Sequence, residues 1–207
     1  MGDRPLAGAP KQRKQPIQDR STATVEAIVE AAIRILRTDG WARLTTTRVA
    51  ARAGVSVGSL YQYFPNREAI AVEIVRQRTR AFLEAVVAVD LTGAIDVDEA
   101  AHRAMTVFLA EKRRTLDLSL ALRDVLPEVQ GRQAILEEGR LYVPALQTRF
   151  TAVTGAPPDA ARFAMALAAV EGTIWEALAQ DPDVLDNPAT VPTLARVFIA
   201  ALGDVSS

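Results

Sequence analysis

At 207 residues the chain is long enough for one large domain or two modest ones, and its 49% hydrophobic and 24% charged residues are ordinary for a soluble globular protein. The absence of cysteine excludes disulfides and thiolate metal sites, and it is compatible with the reducing cytoplasm in which we expect the protein to reside. The formal net charge of −1 hides an asymmetry: residues 1–80 hold 14 Lys and Arg against 7 Asp and Glu, whereas residues 81–207 hold 10 against 18, so only the first part is expected to meet a polyanion.

Strand-like alternation is scarce, and glycine and proline recur at intervals of about one helix, so the sequence predicts an all-α fold of about nine helices. Residues 1–20, which are rich in Pro, Gly, Gln and basic residues, are predicted to be a disordered tail. The longest apolar run, residues 163–170, is too short to span a bilayer, so no membrane partner is expected. The predicted helices span residues 21–39, 46–53, 57–64, 67–89, 97–113, 115–126, 132–153, 160–180 and 191–202.

The two shortest predicted helices, 46–53 and 57–64, are joined by a turn that contains Gly54, which is the pattern of a helix-turn-helix. The small Ala50 allows the two helices to cross closely, and Gly54 supplies the positive φ angle of the turn. Thr45 and Ser56 are the predicted caps of the two helices. The apolar residues predicted to fix the second helix against the first are Val55, Leu60 and Phe64.

The remaining residues of the second short helix are mostly small or polar and are predicted to lie on its outer face: Ser56, Val57, Gly58, Ser59, Tyr61, Gln62 and Tyr63. Small residues at the start of a helix let its backbone approach a groove floor, and hydroxyl and amide groups can hydrogen-bond to base edges or phosphates. The pattern therefore predicts a surface for the major groove of double-stranded DNA. Tyr61 and Tyr63 could instead be core residues, and Tyr61 is the better candidate for a DNA contact.

Residues 44–70, LTTTRVAARAGVSVGSLYQYFPNREAI, closely resemble the signature of the TetR/AcrR family of transcriptional regulators. The resemblance lies in the consecutive threonines, the AGVS-x-G-x-LY-x-YF core and the N-(K/R)-E opening of the next helix, and it covers about the first third of the chain. It implies an all-α homodimer with an N-terminal helix-turn-helix domain and a C-terminal bundle for ligand binding and dimerisation. Most members repress transcription by occupying a palindromic operator until a small molecule binds. Ligand-dependent activation or co-repression is the alternative.

Carried over by position, the resemblance implies phosphate or base contacts for Thr46 and Thr47, with Arg48 beside them. Residues 57–59 are similar to the family's base-reading edge, and residues 61–63 to its phosphate contacts. Arg67, at the start of the next helix, resembles a phosphate clamp, although a solvated side chain is the alternative. Position 57 often holds lysine in the family, whereas Val57 could contact a thymine methyl group. The basic tail is expected to be solvated, and contact with the DNA backbone or minor groove is the alternative.

The predicted organisation is a tail over 1–20, a helix-turn-helix domain over 21–66, a connecting helix over 67–90 and a ligand-binding and dimerisation domain over 91–207. The family's last two helices form the dimer interface, and small residues recur along the predicted helix 160–180. An ordinary core within one chain would show the same pattern. The residues predicted at the dimer interface are Ala161, Ala168, Gly172, Ala179, Leu194 and Phe198.

A pocket for a small, largely apolar effector is expected among residues 97–153 and the start of the helix that follows. Glu171 would favour a cationic or hydroxylated ligand and Arg123 an anionic one, unless they form ordinary surface groups or salt bridges. The other candidates could equally be plain core residues. The predicted lining is Met105, Phe108, Leu122, Arg123, Leu126, Tyr142, Leu146, Phe163, Leu167, Glu171 and Trp175.

An enzyme is the rival class of protein. His102 is the single histidine, and no cysteine is present, so Cys–His pairs and multi-histidine metal sites are impossible. No glycine-framed serine nucleophile or phosphate-binding loop is found either. We therefore expect no catalytic residue, no metal and no cofactor. A nonspecific DNA-packaging protein is disfavoured because residues 81–207 are acidic.

Overall fold

The computed structural model describes residues 15–94, 96–123 and 131–203. Across these residues the secondary structure is helical, with no strand, which confirms the predicted all-α class. Two 3-10 segments, Trp41–Arg43 and Pro182–Asp186, lie between helices. The α-helices of the described residues are α1 (Gln15–Asp39), α2 (Thr46–Ala53), α3 (Val57–Tyr61), α4 (Arg67–Val87), α5 (Val97–Arg123), α6 (Gly131–Thr154), α7 (Ala160–Gln180) and α8 (Thr190–Leu202).

The chain divides into two compact units, Met1–Ile70 and Ala71–Ser207. In the first unit, α1 packs against α2, and α2 packs against α3. The predicted apolar stripe of α1 is buried, with Ile28 and Leu36 among its core residues, and Leu44 in the following loop is also fully buried. Each such burial stabilises the folded unit by about 1.5–3 kcal/mol. This core holds the two short helices that follow.

The structure corrects the predicted start of α1, which lies at Gln15 rather than at residue 21. Residues 15–20, assigned by the sequence to a disordered tail, therefore form the first turns of the helix, and residues 1–14 lie outside the described part. Pro16 is compatible with this start, because the first helical turn needs no backbone N–H donor. Residues 15–20 contain too few apolar residues to show a helical pattern in the sequence, so the prediction missed this part of the helix.

The second unit is built around contacts of α8 with α7 and α5. Three phenylalanine rings, Phe150 of α6, Phe163 of α7 and Phe198 of α8, contact one another with centroids 5.1–5.7 Å apart. All three side chains are buried, and their tilted and edge-to-face geometry is the favourable one for aromatic rings. These rings fix three helices of the unit in one core.

The structure also corrects the prediction of two helices over 97–113 and 115–126, because α5 is continuous from Val97 to Arg123. The polar run before Thr115 suggested a break. Instead, the Thr115 hydroxyl donates to the Glu111 carbonyl at 2.9 Å, and Leu118 continues the buried face. The predicted end at 126 lies outside the described residues. In the described residues there are thus eight α-helices, not nine.

The end of α3 also differs from prediction. α3 ends at Tyr61, three residues before the predicted end, although the Phe64 N–H still donates to the Leu60 carbonyl at 2.9 Å. Pro144 lies inside α6, with the helix continuing on both sides. Among the helices described, none combines the length and apolar content needed to cross a membrane.

Candidate nucleic-acid interface

The two short helices of the first unit begin at side-chain caps. The Thr45 hydroxyl accepts from the Arg48 backbone N–H at 3.3 Å, and the Ser56 hydroxyl accepts from the Ser59 N–H at 3.0 Å. Gly54, which ends α2, has a φ angle of 71°, in the left-handed region that favours glycine. The predicted caps and turn glycine of the helix-turn-helix are therefore confirmed.

The inner faces of α2 and α3 pack against the core of the first unit. Val49, Ala50 and Leu60 have no exposed surface, and Phe64 is buried as well. Val55 is only partly buried, but its backbone N–H donates to the Ala50 carbonyl at 3.0 Å and closes the turn. This packing fixes which side of α3 faces outward.

The outer face of α3 presents small, hydroxylated and aromatic groups. Its two large side chains, Val57 and Tyr61, are 37% and 52% exposed. We define the α3 outer face by its residues, of which Ser59 is partly buried and the others are exposed: Ser56, Val57, Gly58, Ser59, Tyr61 and Gln62. Tyr63 is also partly buried and lies just beyond the helix.

Gly58 has no structural reason to be glycine. Its φ angle is not in the left-handed region, and a Cβ atom built there would meet only the Ser56 hydroxyl, at an ordinary 3.9 Å. Glycine in a helix interior costs about 1 kcal/mol relative to alanine. Gly58 therefore weakens α3 with no gain in packing, and its effect is to leave the backbone of the helix open to a close approach from outside.

Hydroxyl groups connect the predicted DNA contacts to one another. Thr46 Oγ1 and the Tyr61 hydroxyl lie 3.2 Å apart, within hydrogen-bond range, across the two short helices. Ser56 Oγ and Ser59 Oγ lie 2.8 Å apart. The structure thus brings the start of α2 and the end of α3 to one surface, as the sequence predicted for Thr46 and Tyr61. Thr47 is exposed on α2.

Arg48 does not extend freely beside this surface. Its guanidinium pairs with Asp39 at 2.6 Å and donates to the Arg43 carbonyl at 3.1 Å. These three residues line a depression of about 340 Å³. Arg48 therefore links α2 to the end of α1. The sequence did not predict this link, because no motif spacing connects Arg48 to Asp39 or Arg43.

Arg67 is similarly engaged within the first unit. Its guanidinium donates to the Leu44 carbonyl at 3.3 Å and to Glu68 at 3.0 Å, and it stacks over the Trp41 ring at 4.5 Å from the centroid. Cation–π contacts of this kind stabilise by about 0.5–1 kcal/mol when partly exposed. Arg67 thus holds the start of α4 against the loop that precedes α2, and the sequence missed Trp41 as its partner.

In the second unit, the predicted pocket residues lie mainly in the core. Those that are only partly buried are Tyr142, Leu167, Glu171 and Trp175. Tyr142 donates its hydroxyl to Glu84 at 3.0 Å. Leu126 and the side chain of Arg123 lie outside the described part. The fully buried members are Met105, Phe108, Leu122, Leu146 and Phe163, with exposed fractions of 0–6%.

The residues predicted for a dimer interface separate into two groups. Leu194 and Phe198 of α8 are each 1% exposed and pack within the unit's own core. The four small residues of α7 are exposed and share one side of the helix: Ala161, Ala168, Gly172 and Ala179. Sequence spacing could not separate the two groups, because buried and interface helices have the same apolar pattern.

The capped α2–turn–α3 pair, with its inner side buried and its outer side open, defines a helix-turn-helix protein of the all-α class. Residues 28–74 match the family model described as "Bacterial regulatory proteins, tetR family". This match covers the helix-turn-helix and agrees with the family that the resemblance of residues 44–70 implied.

Two relatives of known name are similar to part of the chain. The fatty acid metabolism regulator protein of Bacillus subtilis (strain 168) is 30% identical over 57 residues, which cover 28% of this chain and 29% of that protein. The HTH-type nicotine-responsive transcriptional repressor HdnoR of Paenarthrobacter nicotinovorans is 30% identical over 90 residues, covering 42% and 44% of the two chains. The matched segments therefore span less than half the length of either relative.

The fold extends the similarity along the rest of the chain. A TetR-family transcriptional regulator from Streptomyces coelicolor superposes with a TM-score of 0.64 at 23% identity, covering 89% of this chain and 98% of that one. Because the identity is below 25%, what this similarity shows is a shared fold.

Proposed function

We propose that the protein is a sequence-specific DNA-binding regulator of transcription that acts in the cytoplasm. The observation that carries this proposal is the α3 outer face, on which Gly58 is exposed without any requirement from the fold. A helix with a bare backbone at its start fits the floor of a major groove, whereas a helix built for packing would carry apolar side chains there. The family-model match supports the same surface.

The residues of this surface divide by chemistry into base readers and phosphate contacts. Val57 and Ser59 present a methyl-bearing group and a hydroxyl beside Gly58, which suits contact with a thymine methyl and with base-edge donors or acceptors. Thr46, Thr47 and Tyr61 present hydroxyls at the rim, which suits phosphate oxygens and positions the helix without reading sequence. Arg48 and Arg67 are assigned a supporting role, because both guanidinium groups already have partners in the first unit.

A homodimer is the proposed assembly, and a palindromic operator is the proposed DNA target. The exposed small residues of α7 suit close packing of helices from two copies. Two copies of α3 would then enter successive major grooves about 34–36 Å apart, on half-sites one helical turn from each other.

Release by a small, largely apolar ligand is the proposed mode of regulation. One of the relatives is named a nicotine-responsive transcriptional repressor, which supports effector control and repression as the starting hypothesis for this chain. The ligand needs only to bind the non-operator conformation better, and a ~10-fold difference in affinity shifts the equilibrium by about 1.4 kcal/mol.

The test is a selection of random DNA duplexes by the purified full-length chain at two salt concentrations, read by sequencing. We expect an enriched palindrome whose half-sites lie about one helical turn apart. Binding without any enriched sequence, with a steep loss at higher salt, would contradict sequence-specific recognition, since it would show phosphate contacts alone.

A further inference from the structure

Lys112 of α5 occupies an unusual environment in the second unit. Its side chain is only 12% exposed, and its ammonium group pairs with the Glu171 carboxylate of α7. The same ammonium lies over three aromatic rings, with centroids at 5.6 Å for Phe82 and Phe108 and at 5.0 Å for Trp175. We call the three rings and the Glu171 carboxylate the ammonium cage.

The groups that form the cage all attract a positive charge. Aromatic rings attract cations over their faces and disfavour anions there, and all three centroids lie within the ~6 Å range of this attraction. Glu171 is held in place, because its Oε1 atom also accepts a hydrogen bond from the Trp175 indole N–H at 3.0 Å. One negative group and three rings therefore converge on a single point.

The cage is accessible and its present occupant is replaceable. The Glu171 side chain is 41% exposed, and Phe82 and Trp175 are only partly buried, so part of the lining of the cage is in contact with solvent. Lys112 reaches the cage on a flexible four-carbon stem that can withdraw without unfolding a helix. A purely structural link between α5 and α7 would be served equally well by apolar side chains, without the cost of burying an ammonium ion.

We propose that the ammonium cage is an effector subsite for an organic ammonium ion carried on an apolar body. Lys112 fills the cage when no effector is bound, and the effector's ammonium displaces it. The proposal rests on the proposed function, in which this unit binds a small effector, and it adds the charge of that effector. Because the cage joins α4, α5 and α7, its occupation contacts three helices of the unit at once.

Lys112 acts in this proposal as an internal competitor. When a ligand must displace Lys112, its apparent affinity is its intrinsic affinity multiplied by the fraction of molecules whose cage is vacant. Replacing Lys112 by an uncharged side chain of similar length therefore strengthens binding of the external cation, whereas an ordinary ligand contact would weaken binding when removed. An increase in ligand affinity on replacing Lys112 therefore distinguishes an internal competitor from a merely structural ion pair.

The first test is titration calorimetry of the full-length chain with 2-phenylethylammonium and, as its neutral counterpart of similar size, 2-phenylethanol. At pH 7 a primary alkylamine is protonated, because its pKa lies near that of a free alkylammonium group, about 10. We expect the ammonium compound to bind at least ~10-fold more tightly than the alcohol. Equal binding of the two compounds, or binding of neither, overturns the proposal without any variant having to fold.

Variants then locate the site. We expect K112M to bind 2-phenylethylammonium ~10-fold more tightly than the unchanged chain, and K112M/E171Q to bind it ~10-fold more weakly than K112M, in which no internal ammonium competes for the carboxylate. E176Q, a matched change at an exposed position of the same helix, is expected to leave the affinity unchanged. Unchanged or weaker binding by K112M overturns the proposal. The titrations contain no DNA, so failure of the proposed DNA-binding function would leave their result intact, and the converse also holds.

Discussion

The Tyr61 hydroxyl lies 3.2 Å from Thr46 Oγ1, so the last residue of α3 meets the first residue of α2 at the rim of the α3 outer face. This contact links the Tyr61 hydroxyl to the start of α2. A hydroxyl positioned in this way loses less conformational entropy when it binds a phosphate. The pair is thus suited to set the depth at which α3 enters a groove.

Replacing Tyr61 by Phe removes this hydroxyl and leaves the ring. Because the side chain is 52% exposed, we expect the free energy of unfolding to change by less than about 0.5 kcal/mol. We expect affinity for the selected operator to fall ~10-fold, since a hydrogen bond to a charged group contributes about 1.5–3 kcal/mol. Fluorescence anisotropy with labelled duplex measures this loss, and Y142F, which removes a hydroxyl in the second unit, is the control.

Replacing Gly58 by Ala is expected to stabilise the fold and to weaken binding to the operator. The added methyl group has room within the protein, so α3 gains up to about 1 kcal/mol of stability. The same methyl group occupies space needed at the base edges, so binding to the operator weakens while binding to unrelated DNA is retained. G139A in α6, where an added Cβ atom likewise has room, is the matched control. If G58A bound the operator normally, Gly58 would not lie at the DNA.

Replacing the exposed Ala168 by Arg tests the proposed dimer face on α7. A large charged side chain there prevents close approach of two helices, so we expect a monomer in sedimentation equilibrium and loss of binding to a two-half-site operator. A110R, at an exposed position of α5, should remain dimeric. If A168R formed a dimer of unchanged stability, the interface would lie elsewhere than on this face of α7.

Replacing Leu194 by Ala tests whether this side chain belongs to the chain's own core or to a dimer interface. Because Leu194 is 1% exposed within the chain's own core, its truncation creates a cavity and destabilises the unit by about 2–5 kcal/mol. Chemical denaturation measures this loss. The unfolding free energy should fall by this amount even at concentrations where the chain is monomeric, which a pure interface residue would not do.

The ion pair between Arg76 of α4 and Glu137 of α6 makes stability dependent on pH. The hydrogen bond from Arg76, with a second from Gln133, holds the pKa of Glu137 below its ordinary value of 4.5. A depressed carboxyl pKa contributes stability above the unfolded-state pKa, and the contribution is lost as the pH falls through the folded-state pKa. We expect E137Q to be less stable than the unchanged chain at neutral pH, with the difference shrinking as the pH falls below 4.5 and vanishing only below the lowered folded-state pKa of Glu137. Denaturation curves at several pH values measure it, with E176Q as control.

Local signals in the sequence predicted the helix-turn-helix well. The bounds of α2 and α7 agree with prediction to the residue, because Thr45 and Asp159 cap their starts and Gly54 ends α2. The start of α1 was missed because polar residues can continue a helix without packing. Nonlocal partners could not be predicted, since Trp41 and Arg67 are far apart in sequence, and Lys112 and Glu171 are 59 residues apart.

The sequence contains two tryptophans, and each compact unit holds one, Trp41 in the first and Trp175 in the second. The first indole is stacked beneath a guanidinium, and the second donates its N–H to a carboxylate. Intrinsic emission from the native chain therefore comes from two chromophores that report on different units. With Trp41 replaced by Phe, the remaining emission follows the second unit alone, so melting and ligand titration of that unit can be recorded without any attached dye.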